Sequence, residues 1–366
     1  MKRFLKSISF YLTLTFALVL IGSVAPVYIS PGKIYVLALL GFFFPVLWVI
    51  NLLILVVHIL RKSVYLIIPL MVLGLTWNHW NNVFQAQGED LPEDEPKVVK
   101  VMTFNVRMFD FYEFSHLSGM PYRIYDFIEE ANPDILCIQE FFTSQRKEGY
   151  SPNILRARLG MYGYTHQEYR DYSGLNIGYG IATFSKYPIV NKGRLRFEES
   201  KNMAIFTDIN MDGTIVRVFN NHLESIGFQS QDFNVIDGLT LELDQKQKEG
   251  LKTILWKMSR AFKQRSSQAD RIANHIKNSP YPVIVCGDFN DIPISYVYRK
   301  MRGRLKDAFR ESGAGFGGTY NGRLPSLRID YIFHDPGFSS YEFKRYKVEF
   351  SDHYPISTII SFDGKE

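Results

Sequence analysis

The chain has 366 residues, 46% hydrophobic and 22% charged, values that exclude wholesale disorder and a single small module. Its formal charge of +5 is unevenly spread: residues 1–80 hold six Lys/Arg and no acid, 81–96 hold five acids and no base, and 97–366 hold 36 basic and 32 acidic residues. The first zone is not water-soluble in composition, and the mild positive bias of the last does not by itself demand a nucleic-acid partner.

In the first zone, charge-free runs of 26, 27 and 26 residues follow Lys6, Lys33 and Lys62. A helix needs about 20 apolar residues to cross a hydrocarbon core. Ile8–Tyr28 and Ile34–Leu60 meet that length. Val64–Trp80 is a third candidate, apolar as far as Leu75 and then carrying Trp77 and Trp80 as an interfacial belt; the alternative is a helix lying in the interface. Lys2, Arg3 and Lys6 precede the first span and Arg61 and Lys62 follow the second, with only Lys33 on the other side. The positive-inside rule then puts the N-terminus in the cytoplasm and everything after Trp80 outside it. Ser23-Val24-Ala25 resembles a signal-peptide cleavage site, but Pro26 opposes cleavage there. The expectation is a three-span anchor over residues 1–80 in a bacterial cytoplasmic (inner) membrane, with the remainder on the periplasmic side.

Residues 81–96, with Gly, two Pro and five acids, read as a solvated tether. Residues 97–366 form the third zone. Val98–Asn105, Ile135–Gln139, Ile181–Phe184, Ala204–Ile209, Val216–Asn220, Val283–Cys286, Ile329–Phe333 and Ile356–Ser361 read as strands. Arg123–Ala131 reads as a helix closed by Asn132-Pro133, and Leu251–Phe262 and Ser267–Lys277 as one or two more. The domain is therefore α/β. Cys137 and Cys286 lie in apolar runs, which favours buried free thiols over a disulfide.

Several strands end in polar residues that do nothing for a core: Asn105, Glu140, Asn221-His222, Asp288 with Asn290, Asp330 and Asp352-His353. Strand ends converge on one crevice in α/β domains. Clustered carboxylates would repel one another and raise each other's pKa. A hard cation relieves that conflict, and oxygen ligands select Mg²⁺, Mn²⁺ or Ca²⁺. Singly, each residue has a structural explanation as a turn, cap or hydrogen-bonded histidine; their order along one domain argues for a site.

The ordered set Thr103-Phe104-Asn105-Val106-Arg107, Ile138-Gln139-Glu140, Gly180–Ser185, Asn221-His222-Leu223, Gly287-Asp288-Phe289-Asn290, Arg328–Phe333 and Ser351-Asp352-His353 resembles the endonuclease/exonuclease/phosphatase superfamily. That group includes pancreatic-type deoxyribonuclease, apurinic endonucleases, inositol polyphosphate 5-phosphatases and neutral sphingomyelinases. The resemblance covers Val98 to the end of the chain. It implies a four-layer sandwich of two stacked, mainly antiparallel sheets flanked by helices. It also implies a metal held by Glu140 with Asn105 and Asp352, and a water positioned and deprotonated by Asp288 and Asn290, which would also touch the phosphate. His353, oriented by Asp330, would bind or protonate the phosphate. His222 would be a second phosphate-facing group, and Arg107 and Asn176 further phosphate contacts. Whether Asp288 or His353 is the base stays open.

Two departures limit the transfer. Arg107 stands where apurinic endonucleases have Asp, and no clear carboxylate pairs with His222, for which Glu168 and Glu224 are candidate substitutes. The basic helix within Ser225–Arg265 is expected to pack on the sheet with a solvated face; contact with phospholipid headgroups or nucleic-acid phosphates is the alternative. The aromatic loop Phe109–Phe114 suggests a lid or apolar rim. The expected function is a membrane-anchored, metal-dependent phosphoesterase acting outside the cytoplasm on nucleic acid, phospholipid or a sugar phosphate. No obligate protein partner is evident. A catalytically inactive binding module is the alternative from another class.

Overall fold

The computed structural model describes residues 2–93, 97–112, 119–144, 149–151, 154, 157–159, 164–172, 177–198, 200–238, 244–323 and 325–362. The chain divides into two compact units. One comprises residues 1–83, 224–267 and 292–300; the other comprises 84–223, 268–291 and 301–366.

The first unit contains the helices Lys2–Gly22, Ala25–Tyr28, Val36–Gly41, Phe44–Leu60 and Ile67–Trp80. Among the described residues one helix, Ser7–Tyr28 at 22 residues, is long and apolar enough to cross a membrane, and a signal sequence would pass the same test. The expected second span Ile34–Leu60 is broken. Val36–Gly41 stops, and a new helix of 17 residues begins at Phe44 with Pro45 in its first turn. Proline has no N–H to donate and its ring clashes with the preceding turn, so it starts helices rather than continuing them. Phe44–Leu60 and Val64–Trp80 are the shorter apolar helices. At about 1.5 Å per residue, 17 residues reach roughly 26 Å, at the lower limit for a bilayer core. One helix, and not the expected three, therefore meets the usual length of a span.

Packing in this unit is inverted relative to a water-soluble bundle. Thr13, Asn51, His58 and Thr76 are buried, whereas Leu18, Val46, Leu53, Leu60 and Leu75 are 59–77% exposed. The Thr13 hydroxyl lies 2.8 Å from His58 Nε2, and Asn51 Nδ2 donates to the carbonyls of Phe16 and Leu47. Gln245–Lys277 is a single helix of 33 residues. As far as Ser267 it belongs to this unit, not to the one with the sheets, as the basic-helix expectation had it. Lys263 Nζ lies 5.5 Å from the Tyr35 ring centre, and Arg299 Nε donates to the Val27 carbonyl at 2.8 Å.

Among the described residues the second unit holds twelve strands: β1 (Val98–Asn105), β2 (Ile135–Ser144), β3 (Tyr164–Tyr172), β4 (Ile177–Ser185), β5 (Ile189–Arg196), β6 (Met203–Met211), β7 (Thr214–His222), β8 (Val283–Asp288), β9 (Lys306–Asp307), β10 (Asp330–His334), β11 (Ser339–Arg345) and β12 (Ile356–Ser361). They form two six-stranded sheets, β11-β12-β1-β2-β4-β3 and β5-β6-β7-β8-β10-β9. Each has one parallel pair, β1–β2 and β7–β8, and is otherwise antiparallel. Val99, Val101, Ile135 and Cys137 of the first sheet bury against Ile209, Val216, Val218, Ile284 and Cys286 of the second. The outer face of the first sheet is covered by Ile124, Tyr125 and Ile128 of the helix Met120–Ala131. That helix ends at Asn132, whose left-handed backbone (φ 46°) precedes Pro133. Cys137 and Cys286 are buried free thiols in contact, and burial pushes the Cys286 thiol well up.

The aromatic loop starts in the core and comes to the surface at Tyr112, which is 57% exposed. Phe109 is wholly buried, and Phe111 packs its ring 4.3 Å from that of Phe142. Neither forms a lid; residues 113–114 lie outside the described residues. The acidic tether also makes structured contacts. Gln85 bridges to Gly315, Phe84 packs edge-on against Phe316, and the Glu89 carbonyl accepts from the Glu342 N–H at 2.8 Å.

Candidate active site

Strand periodicity builds the site. On the faces where the sheets meet, alternate residues run from apolar to polar toward one end: Val99, Val101, Thr103, Asn105 on β1; Val216, Val218, Asn220, His222 on β7; Ile284, Cys286, Asp288 on β8. The middle layer ties the sheets together. Gln139 Nε2 donates to Asn220 Oδ1 at 2.7 Å and to Thr103 Oγ1 at 3.0 Å, while Asn220 Nδ2 donates to the Ala182 carbonyl at 2.8 Å. These buried amides satisfy one another and form a rigid polar floor. Their roles were not assigned from sequence, although each continues an apolar face, which was the available signal.

Above that floor the expected residues converge. Glu140 is the extra residue of a β-bulge: β2 pairs with β4 at Gln139/Ile181 and again at Phe141/Gly180, with Glu140 between them at φ 51°. A bulge re-aims a side chain out of the pleat. Asn105 Nδ2 donates to Asp288 Oδ2 at 3.0 Å and lies 3.4 Å from Glu140 Oε1. Asp288 also accepts from the backbone N–H of Asn290 at 2.8 Å and from its Nδ2 at 3.0 Å. His353 stands between two carboxylates, with Nδ1 2.9 Å from Asp330 Oδ2 and Nε2 3.7 Å from Asp288 Oδ2. His222 Nε2 lies 3.7 Å from Asp288 and 3.8 Å from Glu140. Ser351 fixes the last loop: its hydroxyl donates to the Asn105 carbonyl at 2.8 Å and accepts the His353 N–H at 3.1 Å.

The electrostatics separate the two histidines. Burial alone would lower the His353 pKa, but Asp330, Asp288 and Asp352 raise it well above the usual imidazole value. The three carboxylates thus favour the protonated form of His353. Burial lowers His222 to about 4, with Asp288 opposing and His353 assisting. It is neutral, so its carboxylate contacts are not ion pairs. Burial, then Asp352 and Asp288, push Glu140 up to about 7, and burial likewise raises Asp288. This is uncompensated negative charge, and Glu140, Asp352 and Asp288 are an oxygen-donor set that a hard dication fits; Asn105 turns its amide nitrogen to Glu140 and Asp288, and its oxygen accepts the Arg107 N–H at 3.0 Å. Asp288, Asp330 and His353 also place ligand atoms within 4.8 Å of one another. There, however, the His353 ring lies between the two carboxylates and is held by Asp330 at 2.9 Å.

The family model for the endonuclease/exonuclease/phosphatase family matches residues 102–353, well over half of the chain. The chain belongs to that family. A second family model, described as a domain of unknown function, matches residues 3–83. Among solved structures, an endonuclease/exonuclease/phosphatase from Beutenbergia cavernae is similar at 18% identity with a TM-score of 0.52, covering 73% of this chain and 72% of that one. A family protein from Bacteroides thetaiotaomicron is similar at 18% identity and 0.51, covering 73% and 99%. One from Bacteroides vulgatus is similar at 19% identity and 0.50, covering 72% and 99%. At these identities the likeness concerns the fold. No curated protein matches the chain.

Within this endonuclease/exonuclease/phosphatase fold, Asn105, Glu140, His222, Asp288, Asn290, Asp330 and His353 come together. Asp352 adjoins them, with Arg107 Nε 3.7 Å from its Oδ2. Arg107, expected as a phosphate contact, lies beside this carboxylate at the edge of the site. Asn176 lies outside the described residues. Glu168 is not the partner of His222: it pairs with Arg194 at 2.7 Å and faces His166. The carboxylates that face His222 Nε2 are Asp288 and Glu140.

Gly287 has φ 135°, and a Cβ there would lie 2.0 Å from the Asn221 carbonyl oxygen. Gly287→Ala would push β7 from β8 at the His222/Asp288 register and is expected to cost about 3 kcal/mol, read as a lower urea midpoint. Glu140 gives a pH signature. The unfolded chain ionises it from about pH 4.5, whereas the fold holds its proton to about 7. Its contribution to stability is therefore complete below pH 4.5 and lost as pH rises through 7, by on the order of 3 kcal/mol. The lowered His222 acts in the opposite direction between about pH 4 and its ordinary 6.5. The Glu140 share is thus isolated as a difference: metal-free Glu140→Gln should melt above wild type at pH 7.5, the gap closing by pH 4.5.

Proposed function

We propose that this protein is a membrane-anchored, divalent-metal-dependent phosphoesterase that hydrolyses phosphodiesters on the extracytoplasmic side of the membrane. The observation that carries the hydrolytic reading is the placement of His353 between Asp330 and Asp288, beside a separate carboxylate pair, Glu140 and Asp352. Glu140 and Asp352 would hold the metal, with Asn105 beside them, and the metal would supply charge stabilisation for the phosphate oxygens. Asp288, oriented by Asn105 and Asn290, takes the proton of the attacking water as the new P–O bond forms. His353, kept protonated by its two carboxylates, binds a nonbridging oxygen and gives its proton to the departing ester oxygen as that bond breaks. Asp330 holds the imidazole in this orientation. Neutral His222 donates a hydrogen bond to the phosphate.

Anchorage is supported by the inverted packing of the first unit: apolar side chains outside and Thr13, Asn51, His58 and Thr76 inside suit lipid rather than water. On that reading the two shorter apolar helices join Ser7–Tyr28 in the bilayer, and the basic residues at Lys2–Lys6 and Arg61–Lys62 stay on the cytoplasmic side.

The full chain in detergent micelles, offered DNA, RNA, sphingomyelin and inositol phosphates with Mg²⁺ or Mn²⁺, should turn over at least one of them. Absence of turnover on every ester would make it a binding module. A reporter fused after Trp80 should be active outside the cytoplasm; activity only inside would reverse the orientation.

A further inference from the structure

We propose that the exposed stripe Lys248, Lys252, Trp256, Arg260 and Lys263 of the Gln245–Lys277 helix binds the headgroup layer of an anionic bilayer. This rests on the membrane attachment proposed above and adds a second, surface-lying contact to it.

The stripe follows from helical periodicity, since positions 248, 252, 256, 260 and 263 recur every three or four residues on one face. All five are exposed, Trp256 to 61%, with Leu255 at 37% beside it. Arg260 sits over the Trp256 ring at 5.9 Å. Residues 250–269 contain no acid. The helix's other cations in this stretch are used internally. Lys257 pairs with Asp232 at 2.6 Å, and Arg265 is 1% exposed and donates to the Glu224 carbonyl. What remains outside is a large aromatic between cations, the composition of an interfacial helix: the ring sits at headgroup depth while the long cations reach the phosphates.

The occupant is chosen by continuity. This part of the helix belongs to the same compact unit as the apolar helices. Lys263 lies over the ring of Tyr35, in the connection between the first two of them, and Arg299 of the same unit holds the Val27 carbonyl and the Tyr28 ring. That connection is at the end of Ser7–Tyr28 remote from Lys2–Lys6, where an outer headgroup layer would stand. Neither a nucleic acid nor a second copy of the chain would meet that requirement.

The full chain would be placed in nanodiscs of phosphatidylcholine with about one-third phosphatidylglycerol, with an environment-sensitive fluorophore on Trp256→Cys. The native thiols Cys137 and Cys286 are buried, so labelling is selective. Leu53→Cys, on an exposed apolar position of Phe44–Leu60, reports anchorage independently. Headgroup-level spin-labelled lipid should quench the position-256 label, and acyl-chain-labelled lipid the mid-helix position-53 label, each about twofold or more. The quenching at position 256 should weaken in pure phosphatidylcholine and in a Lys252→Glu/Arg260→Glu background. If position 53 is quenched while position 256 stays as bright and as iodide-accessible as in detergent, the stripe proposal fails and anchorage stands. If neither is quenched, both fail. If DNA, and not lipid, shields position 256 from iodide, the stripe is a nucleic-acid surface and the proposal is overturned.

Discussion

His353→Ala should lower kcat/KM for an alkyl phosphodiester by about 10³-fold. His353 is the only described site residue with both ring nitrogens facing carboxylates, Asp330 at 2.9 Å and Asp288 at 3.7 Å. Removing it takes away a buried cation and a proton donor together, and leaves Asp288 facing Asp330 without a positive charge between them. The two losses are separable by the leaving group. A p-nitrophenolate leaves without needing a proton, so bis-p-nitrophenyl phosphate should report mainly the lost phosphate contact, about 10²-fold. An alkyl ester should report both. Equal losses on the two substrates would remove the proton-donor role and leave the charge role. Asp330→Asn keeps the imidazole but weakens its hold on the proton. It should therefore shift the alkaline limb of the kcat/KM profile to lower pH, with a smaller loss at the optimum.

Glu140→Gln is the second large effect, and its signs are opposed. Gln keeps the shape of the side chain and can still accept from Asn105 Nδ2, which now lies 3.4 Å from Oε1. It removes one of the carboxylates that would bind the dication, so the metal concentration for half-maximal activity should rise at least about 10- to 100-fold. The same change removes a charge that burial, Asp352 and Asp288 all penalise. The metal-free protein should therefore be stabilised while the enzyme is crippled. A variant that lost stability and kept its metal requirement would place the cation elsewhere, for which Asp288, Asp330 and His353 are the other group on the described residues.

The central strands and the site were legible because each is written in a period of two that survives in a single sequence: apolar, apolar, amide, then carboxylate or imidazole. The four strands that were not anticipated, β3, β5, β9 and β11, are the four sheet edges. Tyr164–Tyr172, Ile189–Arg196, Lys306–Asp307 and Ser339–Arg345 carry charged and polar residues because an edge with one open side is protected from mispairing that way, and this erases the apolar signal. Glu140 was visible as a polar strand end, but its bulge was not, since an extra residue exists only relative to the partner strand. In the membrane zone hydropathy alone does not see a break: Ile34–Leu60 is apolar throughout, yet Pro45 restarts the helix. Nor could sequence place residues 224–267 with the apolar helices, because Lys263 and Tyr35 meet across more than two hundred residues.

On the proposed function, Asp288 and His353 hydrolyse phosphodiesters with a divalent metal beside them. The most direct test is turnover of bis-p-nitrophenyl phosphate by the full chain in micelles, comparing wild type, Asp288→Asn and His353→Ala in Mn²⁺ and in EDTA. Metal-dependent turnover by wild type that disappears in EDTA and in Asp288→Asn, and falls about 10²-fold in His353→Ala, is the predicted result. Equal turnover in EDTA, or in Asp288→Asn, would contradict it.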